Sequence, residues 1–230
     1  MDIAIIPARA GSKRIKNKNI KLFCGKPIIY WTIQKIKKSN LFNKIIVTSD
    51  SNKILNISKK FGADILIKRN KKLSNDITPT LPVVNHSILN LSNLLIENVC
   101  CIYPCNPFLN IFDIKKALLF LKKSKNKFVV PITPYPHPIQ RALKIDIKSN
   151  ISPYSDVNLS KSTHDLESLY HDAGQFYFGH KNLWLGKKNI LKNSIGIKIP
   201  SWRVVDIDNI DDWKRAETIF LTFRKFFCNY

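Results

Sequence analysis

Two groups of residues in this chain have the types and spacing to do chemistry. The first is a cationic run, Arg9, Lys13, Arg14, Lys16, Lys18 and Lys21, interleaved with Gly11, Ser12 and Asn19, that follows directly on the apolar stretch 3–7. Backbone N–H groups and cationic side chains that converge in one loop suit the oxygens of a phosphate chain, and glycine lets the backbone turn and come close. The plainer alternative is a solvated Lys-rich loop. The second group is Asp206 and Asp208. Carboxylates two residues apart on a strand emerge on one face, where they can share a Mg2+, a hard cation that keeps its other positions for water and phosphate oxygens. The alternative there is that Asp208 or Asp211 caps the last helix.

These residues need a scaffold. Residues 1–130 alternate apolar runs (3–7, 44–49, 63–67, 99–103 and 128–133) with helical patterns. One helix opens at Pro27 with Ile29, Ile33 and Ile36 on its apolar side, one spans 51–61 with Gly62 as a left-handed cap, one lies near 83–95 and one covers 113–123. Such alternation predicts crossover units on a mainly parallel α/β sheet. The cationic loop then sits at the carboxyl end of the first strand, where open α/β sheets bind ligands. It fits neither G-x-x-x-x-G-K-[ST] nor G-x-G-x-x-G, so a P-loop nucleotidase and a Rossmann dehydrogenase lose their sequence support.

Past Pro131 the pattern changes. Prolines at 131, 134, 136 and 138, then a polar stretch 148–172 carrying Tyr154, Leu166, Leu169 and Tyr170, read as a flexible loop or as an excursion that packs on another subunit, and the need to cover those apolar side chains favours the excursion. Residues 203–207 read as a strand, and Ile210, Trp213, Ala216, Phe220, Phe223 and Phe227 line one side of a terminal helix.

The 230 residues, 44% hydrophobic and 10% aromatic, can fill one core, which excludes global disorder. A formal charge of +22, from 38 Lys and Arg against 16 Asp and Glu, raises the question of a polyanion partner. Only seven of those cations are Arg, beside 33 Ile and 22 Asn. That joint excess matches AT-rich codons, whereas a phosphate-selected surface favours Arg forks. No nucleic-acid partner is expected. No apolar run approaches the ~18 residues of a membrane span, and the opening is too short and too acidic for a signal peptide. The expectation is a cytoplasmic protein with no membrane partner. Cys24, Cys100, Cys101, Cys105 and Cys228 are odd in number and form no CxxC pair, so reduced, mostly buried thiols are expected. His137, His164 and His171 fit no metal template.

The string IIPARAGSKRIKNKNIKLFCGKPII resembles the N-terminal motif of the cytidylyltransferases that activate nine-carbon and eight-carbon acidic sugars with CTP. Three later strings, YPHPIQRA at 135–142, DAGQFYFG at 172–179 and RVVDID at 203–208, resemble the pseudaminic acid branch of that family. The likeness runs through the whole chain in order. It implies a single Rossmann-like nucleotidyltransferase domain over 1–230, homodimeric through the excursion 134–172. Such an enzyme joins CTP and an acidic nonulosonic sugar, with Mg2+, into a CMP-sugar and pyrophosphate for bacterial surface or flagellin glycosylation. The alternatives are the same transfer to a sialic, legionaminic or Kdo acid and, from another class, a polyanion-binding module in which the +22 carries the function.

Carried over residue by residue, the resemblance implies that Arg9, Ser12, Lys13, Lys18 and Asn19 hold the triphosphate. Arg69 and Asp76 lie near the nucleotide, with cytosine contacts from residues 74–80. Without the resemblance, Arg69 reads as a surface ion pair and Asp76 as a helix or turn cap. On the sugar side Arg141 would meet the carboxylate, supported by Gln140, while Gln175, Phe176 and Tyr177 line the pocket and Tyr103 opens a sugar-contacting turn, 103–108. Phe176 and Phe178, at strand spacing, read equally well as core. Asp206 and Asp208 would hold Mg2+, and Arg9, Lys18 and Asp206 would carry catalysis, with Asp206 or a bound water as proton acceptor.

Overall fold

In the computed structural model, which describes residues 1–124, 126–156, 161–187, 189–192 and 194–223, the predicted alternation becomes an eight-stranded sheet flanked by helices. The first half runs β1 (Asp2–Pro7), β2 (Leu22–Phe23), β3 (Lys26–Pro27), α1 (Ile28–Ser39), β4 (Lys44–Ser49), α2 (Asn52–Lys60), β5 (Ile65–Lys68), α3 (Thr80–Leu89) and β6 (Asn98–Ile102). The second half runs α4 (Ile111–Lys123), β7 (Val129–Pro134), β8 (Leu143–Ile145), β9 (Ile151–Pro153), β10 (Tyr170–Asp172), β11 (Phe176–His180), α5 (Lys181–Leu185), β12 (Ile195–Lys198) and α6 (Ile210–Thr222).

The order across the sheet is β10-β7-β11-β6-β1-β4-β5, with β12 beside β7. β1 pairs in parallel with both β4 and β6, and β4 with β5. β11 is wedged antiparallel between β6 and β7, which leaves those two pointing the same way. Only β10 and β11 oppose the common direction, so the sheet is mainly parallel. The chain leaves β1 toward β4 and β5, then returns through α3 to β6 on the other side. That reversal is a topological switch point, and a crevice opens there beyond the carboxyl ends of the strands.

Residues 3–6 of β1 are fully buried because both faces are covered: Ala4 and Ile6 join Ile29, Ile33 and Val47, whereas Ile3 and Ile5 join Val84, Ile88 and Trp184. Burial of each such aliphatic side chain contributes about 1.5–3 kcal/mol. Ser51 caps α2 by accepting from the Ile54 N–H, and Gly62 follows it at φ 101°. Cys100 and Cys101 are buried free thiols, Cys105 is a half-buried one and Cys24 is half-buried; Cys228 lies outside the described residues, as does Phe227. Among the described residues no helix is long and apolar enough to cross a membrane.

Three expectations are corrected. The helix near 83–95 begins at Thr80 and stops at Leu89, because Pro82 is tolerated in a first turn and Asn90 then closes the helix. The strand 63–67 is shifted to Ile65–Lys68. Residues 203–207 are not a strand: a 3-10 turn, Ser201–Arg203, leads into a segment that pairs with no strand of the sheet and runs to α6. Asn209, rather than Asp208 or Asp211, caps that helix, in a capping box with Asp212.

The excursion folds as a β8–β9 hairpin and short 3-10 turns lying outside the main sheet. Leu143, Ile145, Ile151 and Tyr154 are each at least 60% exposed and Ile147 is fully exposed.

Candidate active site

A cleft of about 820 Å³ occupies the switch point. The loop after β1, the segment after β5, the start of α3, the turn after β6, the β10–β11 turn and the segment before α6 all border it. Of the residues singled out from sequence, Arg9, Ser12, Lys13, Lys18, Asn19, Arg69, Asp76, Tyr103, Gln175, Tyr177, Asp206 and Asp208 all line it. Gln140, Arg141 and Phe176 do not.

The cationic end is held together by its own counter-charge. Asp76 accepts from Arg9 Nη1 at 2.6 Å and Lys13 Nζ at 2.7 Å, and these two bonds, Lys13's first, keep its carboxyl below the usual range. Asp76 is therefore neither a helix cap nor a turn cap. Arg9 is one-third exposed and Lys13 is 82% exposed, so their charges remain near water. Asn19 is buried and stitches the loop: Nδ2 donates to the Arg9 carbonyl at 2.7 Å, and Oδ1 accepts from the Cys105 thiol at 3.1 Å. Burial pushes that thiol up to about 12, with Lys18 pulling it back. Gly11 has no left-handed φ, and a Cβ placed there would meet nothing within 4 Å. The turn does not require glycine at that position.

Arg69 is not a surface ion pair, since it is 4% exposed. Nε donates to Ser74 Oγ at 2.9 Å, but buried Nη1 has no partner. Desolvation is the largest influence on its guanidinium, opposed by Asp50. A buried cationic N–H without an acceptor costs free energy until something supplies one.

The opposite wall is made of hydroxyls. Thr80 Oγ1 and Tyr103 OH lie 2.6 Å apart, the Tyr103 and Tyr177 rings meet edge to face at 5.7 Å, and Tyr177 donates to Asp172 Oδ2. Burial pushes the Tyr103 phenol up to about 12. Gln175 Nε2 donates to the Arg203 carbonyl at 2.7 Å and leaves Oε1 buried without a partner. Arg203 is itself anchored by a two-point pair with Asp113 on the first turn of α4. Phe176 is fully buried with Phe178 in the core under the sheet, so the strand alternation that turns Gln175 and Tyr177 to the cleft turns Phe176 away.

Asp206 and Asp208 both reach the cleft, although not from a strand. Buried Ile207 between them keeps the two carboxylates on the outer side of an extended segment. Asp208 Oδ2 accepts from Arg14 Nη1 at 2.9 Å, and Asp206 makes no ion pair among the described residues. Two carboxylates open to a cleft suit a divalent ion that completes its shell with phosphate oxygens and water. Among the described residues there is no group of three or more His, Cys, Asp or Glu that could enclose a metal by itself.

Gln140 and Arg141 lie on the excursion. Gln140 donates to the Glu167 carbonyl at 2.9 Å and Arg141 to the Lys161 carbonyl at 2.6 Å. Sequence reasoning missed Asp172 and Asp113 as parts of the wall and its support, and it placed Thr80 only within the stretch 74–80 expected at the cytosine. Asp172 stands five residues from Tyr177, and only the β10–β11 turn, which no periodicity predicts, brings them together.

A mainly parallel sheet with a cationic loop at its switch point is a Rossmann-like architecture. It matches the structure of a CMP:2-keto-3-deoxy-manno-octonic acid synthetase in complex with CTP at a TM-score of 0.71, over 96% of this chain and 98% of that one at 12% identity, a likeness of fold. The chain belongs to the cytidylyltransferase family, whose pattern matches residues 3–203. It is 35% identical over 222 residues to the pseudaminic acid cytidylyltransferase of Campylobacter jejuni serotype O:2, covering 95% of this chain and 96% of that one. It is also 31% identical over 219 residues to the N-acylneuraminate cytidylyltransferase of Escherichia coli O18:K1:H7, covering 94% of this chain and 51% of that one.

Proposed function

We propose that this chain transfers the CMP group of CTP to the anomeric hydroxyl of an acidic nine-carbon sugar of the pseudaminic acid type, releasing pyrophosphate. The observation that carries the reading is Arg69: a buried guanidinium with an unpartnered N–H, in the same cleft as Arg9, Lys13 and Lys18 and facing a hydroxyl-lined wall. An anionic nucleotide satisfies that cation, and a polyhydroxylated sugar suits the wall.

Arg9, Lys13 and Lys18, with Ser12 and the backbone that Asn19 holds, would grip the triphosphate. Its phosphates displace Asp76, which is anionic and serves as their stand-in rather than as their ligand. The sugar hydroxyl attacks the α-phosphorus, the bond to the β-phosphate oxygen breaks, and the hydroxyl proton passes to Asp206 or to a water that Asp206 orders. Asp206 and Asp208 would hold Mg2+, which neutralises charge building on the phosphates.

The exposed apolar side chains of the excursion would be covered by a second copy of the chain. Gln140 and Arg141 ride on that excursion, so their service to a sugar carboxylate would run across the dimer. Supplying CTP, Mg2+ and each acidic sugar in turn, and measuring pyrophosphate release, tests the reading. Release with a sialic or legionaminic acid and none with pseudaminic acid would overturn the choice of sugar.

A further inference from the structure

The hydroxyl wall has a direction. A carboxylate only accepts, so the proton between Tyr177 and Asp172 comes from Tyr177. Burial first, then Tyr103 and Asp172, raise the Tyr177 phenol far above its ordinary value, and it keeps that proton. Thr80 and Tyr103 share a hydrogen bond in which either hydroxyl can donate, and the Tyr103 ring meets the Tyr177 ring edge to face. The second Asp172 oxygen takes the Gly174 N–H at 2.9 Å. A carbonyl also only accepts, so the Gln175 NH2 faces Arg203, and its orphaned atom is the oxygen. The Tyr177 proton is spent within the wall, and what the wall keeps beside it are acceptors, the Asp172 carboxylate and the Gln175 carbonyl oxygen. Such a surface matches N–H and O–H donors and repels a carboxylate.

We infer that Asp172 is a specificity-determining residue of the sugar end. It accepts a hydrogen bond from a neutral N–H or O–H donor of the sugar and turns the sugar's own carboxylate away from this wall. The inference rests on the acidic-sugar reading above and adds a residue and an orientation to it.

The test is Asp172→Asn, nearly isosteric, in which one accepting oxygen becomes a donor. Wild type and variant are compared by pyrophosphate release against sugar concentration and by CTP titration calorimetry without sugar. The expected result is a sugar KM raised about 10- to 100-fold, the size of a lost hydrogen bond to a charged group, with kcat changed less and CTP affinity unchanged. A purely structural role would instead lower CTP affinity and thermal stability together. An unchanged or lowered sugar KM overturns the inference alone. A wild type that turns over no acidic sugar overturns the functional reading and takes the inference with it. Should Asp172→Asn fail to fold, Asp172→Glu, which keeps the charge but moves it by one methylene, is read in the same way, and a wild-type sugar KM in that variant overturns the inference.

Discussion

The two ends of the cleft are built from different materials. At the cationic end the charges sit on long, partly exposed side chains, Arg9 and Lys13, bound to a carboxylate that a ligand can displace. At the hydroxyl end the polar atoms are half-buried and already bonded to one another, Thr80 with Tyr103 and Tyr177 with Asp172, and the Gln175 carbonyl beside them is buried. Exposed charges attract at a distance, adapt to a flexible chain and weaken in salt. Buried lone pairs discriminate, because a ligand without the matching donor leaves them unsatisfied. The first end is suited to capturing an anion and the second to choosing a sugar.

Arg69 breaks the pattern, being a buried charge at the exposed end, and the segment of Asp206 and Asp208 lies between the two. Asp208→Asn is expected to have the largest effect, a fall in kcat of about 1,000-fold with the fold intact by circular dichroism, since several kcal/mol of charge stabilisation are at stake. Near-normal turnover would remove Asp208 from the metal site. Arg69→Met should weaken CTP binding about 10- to 100-fold by calorimetry and leave the melting temperature unchanged or raised, because it removes a cation whose burial is only partly compensated, by Ser74 and Asp50. A fall in both would make Arg69 a structural residue and restore the simple contrast between the ends.

Raising NaCl from about 0.05 to 0.5 M should weaken CTP binding several-fold, as the Debye length shrinks below the spacing of the exposed charges. The ratio of sugar KM between Asp172→Asn and wild type should stay constant across that range. Gly11→Ala should change stability by no more than about 0.5 kcal/mol in urea denaturation, since neither φ nor space demands glycine, so that any loss of CTP affinity reports contact with ligand. Asp76 gives the smallest effect. Its carboxyl is depressed, so what its ion pairs add to stability is present above the ordinary carboxylate value and lost only as pH falls through the lowered one. The urea midpoints of wild type and Asp76→Asn should therefore converge in strong acid.

The same contrast explains what was legible in the sequence. The loop after β1 is contiguous, so Arg9, Ser12, Lys13, Lys18 and Asn19 could be read together from one string, and the strand Lys44–Ser49 matched its apolar run at both ends. The hydroxyl wall is assembled from residues 80, 103, 172 and 177 by strand order, and the insertion of β11 between β6 and β7 leaves no local signal. Phe176 was misplaced because an aromatic beside two cleft residues carries no mark of which face it takes. Arg141 was assigned to the sugar, yet it lies on the excursion, clear of the cleft of its own chain. The segment 203–207 has the composition of a strand, but among the described residues it pairs with no strand, and composition carries no signal of whether an edge is within reach.

The wedging of β11 has a consequence in time as well as in space. β6 and β7 do not touch directly; the strand that joins them is made some seventy residues after β6 is complete. During synthesis, β6 can pair with β1 on one side while its other edge, with Val99, Cys100, Cys101 and Ile102, waits for residues 176–180 to leave the ribosome. Non-local closure of this kind slows folding and holds an apolar strand edge open to self-association. The second wall of the cleft thus forms late, and the yield of properly folded protein should depend on how well that waiting edge is shielded in the cell.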